Sequence, residues 1–178
     1  NLVIQAECAT ELPEGVTNED GTVTYTYTLK DGLKWSDGQP LTAKDFEFAW
    51  KRAAVEGFGD YYYMFEVIKG APNDLAVEAI DDKTLTVTLN NAVAYWNELL
   101  AFPTYFPVRE DVVSNEGWAT DASTYVSNGA YSMTGWDHNS VITLTKNENY
   151  WNAENVSMKE IKFYLSDDDN NMLTNWKS

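Results

Sequence analysis

Basic residues are scarce in this chain. Twelve lysines and arginines stand against 28 aspartates and glutamates, a formal charge of −16 at pH 7. So few cations cannot neutralise a phosphate backbone, which excludes nucleic acid as a partner, and an anionic membrane surface is disfavoured on the same ground. The acidity reads as a solvated surface. Cysteine and histidine occur once each, at Cys8 and His138. One cysteine allows no internal disulfide and no paired-cysteine zinc site. Cys8 is also a poor lipid-attachment residue, because Gln5-Ala6-Glu7 puts a charge where a small residue is needed; a buried thiol is expected. His138 falls in a predicted hairpin turn beside Asp137 and reads as an exposed turn residue rather than a general base. The glycines are scattered at turns, with no phosphate-binding loop among them. Asp167-Asp168-Asp169 lacks the spacing of a calcium loop and reads as a solvated helix start. No carboxylate pair is singled out by its neighbours as a glycosidase pair. No apolar run is long enough to span a bilayer, and no signal peptide stands at Asn1. On these grounds no catalytic residue, metal site or cofactor is expected.

What the chain does have is aromatic and threonine-rich patterning. Aromatics reach 14% of its 178 residues. From Thr22 to Leu29, threonine alternates with Val23, Tyr25, Tyr27 and Leu29, which predicts a strand with its apolar side chains on one face. Asp31-Gly32 and Ser36-Asp37-Gly38 predict turns on either side of Trp35. Thr42 and Asp45 form a capping box, and Phe46, Ala49, Trp50 and Ala53 then recur at helical spacing. Gly57 and Gly59 mark a loop, followed by Tyr61-Tyr62-Tyr63-Met64-Phe65. Read as an α-helix, that segment places Tyr61, Met64, Phe65 and Ile68 on one stripe, with Tyr62 and Tyr63 pointing elsewhere. Pro72 ends it.

Val77–Ile80 and Thr84–Leu89 predict a hairpin with Leu85, Val87 and Leu89 inward. Tyr95, Trp96, Leu99 and Leu100 predict a short amphipathic helix. Phe102-Pro103 and Phe106-Pro107 suggest a subdomain boundary, giving units 1–102 and 103–178. A short helix within Glu110–Trp118 follows, then a second hairpin (Ala130–Trp136 and Ser140–Lys146). A strand carrying Ile161, Phe163 and Leu165 comes next, then a helix capped by Asp167 or Asp168 with Met172, Leu173 and Trp176 on its apolar face. Trp35, Trp50 and Trp151 are expected in the core. The fold class is α+β, with mixed or antiparallel sheets and short packed helices.

The run YTLKDGLKWSDGQPLTAKDFEFAWKR resembles the hallmark segment of the oligopeptide- and dipeptide-binding proteins of bacterial ABC importers, solute-binding family 5. LAVEAIDDKTLTVTL, FPTYFPV, and SNGAYSMTGW followed by ITLTKNENYWN extend that resemblance to nearly the whole chain. It implies part of a periplasmic-binding-protein type II-like fold. Residues 1–102 would be the family's small extra domain and 103–178 part of its first ligand-binding lobe, with the second lobe outside this sequence. The implied function is capture of extracellular peptides for import, with the membrane permease as partner of the whole protein. A monomer is implied, in the periplasm or lipid-anchored at the cell surface, this chain being an interior segment. In the family a tyrosine just after the W-x-R helix reaches into the peptide cleft, which makes Tyr61, Tyr62 and Tyr63 the candidate ligand residues. The alternatives are another solute, such as nickel, haem or an oligosaccharide, or an unrelated carbohydrate-binding module.

Overall fold

The computed structural model describes residues 3–55 and 57–177. They fall into two compact units: residues up to Leu33 with Pro40–Asp111, and Lys34–Gln39 with the residues from Val112 onward. The main division therefore lies at 111/112 and not at the 102/103 boundary that the Phe-Pro pairs suggest. The first unit also surrenders the six residues around the Ser36-Asp37-Gly38 turn to the second.

The first unit is a four-stranded antiparallel sheet with helices beside it. Strands β1 (Val16–Thr17), β2 (Val23–Thr28), β3 (Val77–Ala79) and β4 (Thr84–Leu89) lie in the order β1-β2-β4-β3. The pairing of β2 with β4 explains why both strands alternate. Val23 faces Leu89, Tyr25 faces Val87 and Tyr27 faces Leu85, so the apolar residues of both strands share one side. The threonines share the other, where the Thr24 and Thr88 hydroxyls meet at 3.0 Å. Val87 and Leu89 are completely buried.

Helix α1 (Ala43–Ala53) starts at the expected capping box. The Asp45 carboxylate accepts the Thr42 backbone N–H at 2.7 Å, and its charge suits a helix N-terminus. Ala43, Ala49, Trp50 and Ala54 are buried, while Phe46 and Ala53 are only half-buried. The one-turn helix α2 (Trp96–Leu99) buries Trp96 and leaves Tyr95 exposed, against the expectation that both face inward. Cys8 is half-buried rather than buried.

An aromatic cluster fills this unit. Trp50 stands edge-on to Trp96 at 6.2 Å and to Tyr105 at 5.3 Å, and Phe65 lies 4.5 Å from Tyr105. Edge-to-face geometry sets positive ring edges against negative ring faces. The polar atoms of the cluster are satisfied. Trp50 Nε1 donates to the Tyr105 carbonyl at 2.7 Å, and Trp96 Nε1 to the Tyr27 hydroxyl at 2.8 Å. Burial pushes the Tyr27 and Tyr105 hydroxyl pKa values well above the usual range.

Helix α3 (Glu110–Val113) straddles the division between the units. The second unit carries a three-stranded antiparallel sheet of β5 (Tyr131–Asp137), β6 (Val141–Lys146) and β7 (Glu160–Tyr164), in that order, and helix α4 (Asp169–Lys177). Asp168 caps α4, its carboxylate accepting the Asn170 N–H at 2.8 Å. The Ser36 turn is held here by polar stitches: Ser36 N–H donates to the Ser127 carbonyl at 2.8 Å, and Asn149 Nδ2 to the Ser36 carbonyl at 3.1 Å. Among its described residues only Trp35 and Asn147 are buried. Trp35 is 1% exposed, and its indole N–H has no acceptor among the described residues.

Several inward assignments fail in this unit. Phe163 is 51% exposed, Trp176 87% and Trp151 38%, so none of them is core. Leu165, Met172 and Leu173 are exposed as well. Their spacing suggests burial, but the described residues leave each of them exposed.

Candidate functional site

The three candidate tyrosines lie in the first unit, where a 3₁₀ turn over Tyr62–Val67 replaces the α-helix expected there. The difference matters because side chains three apart eclipse in a 3₁₀ turn. The inward line is therefore Tyr62, Phe65 and Ile68, with Phe65 and Ile68 fully buried and Tyr62 half-buried. Tyr61 leaves the core stripe that α-periodicity gives it and is 49% exposed; Tyr63 is 53% exposed.

What forces the turn is anchoring from below. The Tyr105 hydroxyl donates to the Met64 carbonyl at 2.7 Å, and Asn90 Nδ2 donates to the Glu66 carbonyl at 2.9 Å. Backbone N–H groups of Lys69 and Asn90 donate to Thr88 and Val67 at 2.9 Å each, tying the end of the turn to β4. Gly70 sits at φ +81°, where a Cβ would come within 1.8 Å of the Asp74 carbonyl oxygen, so the chain beyond the turn needs glycine.

The outward side is an aromatic platform. The Tyr61 ring lies 5.1 Å from Phe102 and 6.4 Å from Tyr63, tilted in both cases. Phe102, read in the sequence only as a boundary marker, is a supporting part of it. Close by in sequence, the Arg52 guanidinium sits 4.3 Å above the half-exposed Phe58 ring. Among the described residues the Tyr61 and Tyr63 hydroxyls have no hydrogen-bond partner. Flat apolar faces with an available hydroxyl, mounted on a buried anchor, suit contact with an extended ligand of varied side chain.

The other candidates do not gather into a site. His138 is an exposed turn residue, its Nε2–H donating to the Thr120 carbonyl at 3.0 Å and its ring 4.4 Å from Trp136. Among the described residues, no group of three or more His, Cys, Asp and Glu side chains is arranged to hold a metal ion.

The fold has well-characterised counterparts. The structure of Listeria monocytogenes OppA bound to peptide matches 96% of this chain with a TM-score of 0.85 at 34% identity, and the match covers 35% of that protein. The class this defines is the periplasmic-binding-protein fold. The chain belongs to the bacterial extracellular solute-binding proteins, family 5 Middle, which it matches over residues 6–178. It is 43% identical to the oligopeptide-binding protein OppA of Bacillus subtilis over 174 residues, 91% of this chain and 32% of that protein. It is 37% identical to the dipeptide-binding protein DppE of the same organism, over 83% of this chain and 29% of that protein. The chain thus spans about a third of the length of these relatives. Membership in this family removes the unrelated carbohydrate-binding module from consideration.

Proposed function

We propose that the chain is part of the substrate-binding component of an ABC importer, acting outside the cytoplasm to capture oligopeptides or dipeptides. The observation that carries this is the family match over residues 6–178, with relatives named for both peptide classes. The exposed Tyr61–Tyr63 platform agrees with it. On this reading Tyr61 and Tyr63 touch the peptide while Tyr62 buttresses the turn. The first unit is the small extra domain, and the second is part of a ligand-binding lobe. An uncovered sheet with little buried beneath it is what part of a larger lobe should look like. The protein performs no catalysis. The complete molecule works as a monomer that delivers its peptide to a membrane permease, from the periplasm or from a lipid anchor at the cell surface.

Calorimetric titration of mixed short peptides tests this on two proteins, this chain and the product of its whole reading frame. Binding by the longer protein alone supports a cleft that this chain walls on one side. If neither binds peptide while either binds an oligosaccharide, nickel or haem, the peptide reading falls and another solute replaces it.

A further inference from the structure

Resting on the peptide-binding reading, we propose that the outer face of the Tyr62–Val67 turn is a subsite for a cationic side chain of the peptide, lysine or arginine. Residues three apart eclipse in a 3₁₀ turn, so Tyr63 and Glu66 project along one line. Both are exposed. The Glu66 backbone is fixed by Asn90, but its carboxylate has no partner among the described residues. The cations nearest in sequence are engaged elsewhere: Lys69 pairs with Asp20 at 3.0 Å, and Arg52 lies on the Phe58 ring.

The face therefore offers a π ring and an uncompensated negative charge, with the Tyr61 ring 6.4 Å from that of Tyr63. A guanidinium or ammonium group gains from both the ring and the carboxylate, an apolar side chain gains only from the ring, and an acidic one is repelled. The overall charge of −16 also attracts cationic peptides, but that field acts at long range and is screened beyond about 8 Å at physiological salt. The preference assigned to this face is local and depends on one carboxylate.

The test uses the product of the whole reading frame and a penta-alanine series in which lysine, or glutamate, replaces each alanine in turn. At one position lysine should bind about fivefold tighter than alanine, with glutamate weaker than both. Glu66→Gln should abolish most of that gain and Tyr63→Leu part of it. Glu154→Gln, an exposed carboxylate of the second unit, should leave it intact. The subsite is overturned if no position prefers lysine, if the preference survives Glu66→Gln, or if Glu154→Gln reduces it equally. If no peptide binds, penta-alanine included, the peptide reading itself falls and takes the subsite with it.

Discussion

Tyr27→Phe deletes a single hydroxyl, but its consequence should fall on Trp96. The Trp96 side chain is 1% exposed and its Nε1–H donates to the Tyr27 hydroxyl at 2.8 Å. Without that acceptor the indole N–H is left buried and unpaired. The expected cost is about 2 kcal/mol, because an orphaned buried donor costs roughly 1–3 kcal/mol whereas a typical net hydrogen bond contributes about 1. The Tyr27 hydroxyl also lies 3.4 Å from Asn97 Oδ1, a contact too long to add much. Tyr25→Phe is the control: the same change on the same strand face, at a ring with no hydrogen-bonded hydroxyl among the described residues, should stay within about 0.5 kcal/mol. The decisive step is to repeat Tyr27→Phe in a Trp96→Phe background. No N–H then remains to be orphaned, and the increment should fall below about 0.5 kcal/mol. Urea midpoints at constant m-value, followed by tryptophan fluorescence and far-UV circular dichroism, supply the five stabilities. Equal increments in the two backgrounds would refute the reasoning.

Gly70→Ala should destabilise by about 2 kcal/mol or more, since it combines a left-handed φ of +81° with a Cβ 1.8 Å from the Asp74 carbonyl oxygen. An unchanged urea midpoint would sink that expectation. Acid sensitivity should be shared among exposed carboxylates. The Thr22 hydroxyl, the Lys69 ammonium and the Thr22 backbone N–H lower the Asp20 pKa to about 2 from its ordinary 3.8. A lowered folded value gives stability that is present above the unfolded pKa and lost as pH falls through the folded one. The urea midpoint should therefore decline from about pH 4 towards 2 through Asp20, with Asp31, Asp81 and Asp121, also lowered by hydrogen bonds, adding to the loss of stability in acid. In Asp20→Asn the decline should be shallower; an acid limb superimposable on that of the parent protein counts against the assignment.

The parts of this fold legible in the sequence are those whose cause is local. Alternation in β2 and β4 survives because each strand has one apolar partner face, and the capping box forms because both its halves lie within four residues. Periodicity also groups apolar residues along the last strand and helix. It could not say whether anything covers them, which is why Phe163, Trp176 and Trp151 were expected inside and stand exposed. The Ser36 turn was legible as a turn but not as part of the second unit. Its bonds run to Ser127 and Asn149, 91 and 113 residues away, largely through backbone atoms that leave no trace in residue pattern. The site was half legible in the same sense. Three tyrosines too many for one core announced an aromatic surface, yet the choice among them depended on period three against period 3.6.

That choice is settled by the core and not by the tyrosines. In an α-helix Tyr61 would share the stripe of Phe65 and Ile68, and the platform would lose the ring that touches both Tyr63 and Phe102. The 3₁₀ geometry is held because Tyr105, itself packed against Trp50, Trp96 and Phe65, takes up the Met64 carbonyl, while Asn90 takes up that of Glu66. These carbonyls are accordingly engaged from below; Phe65 between them points inward, and Tyr63 and Glu66 on either side of it stand exposed. The buried aromatic cluster thus does two jobs with one set of contacts. It supplies the apolar mass that makes the first unit fold, and through one hydroxyl it fixes which tyrosines stand exposed.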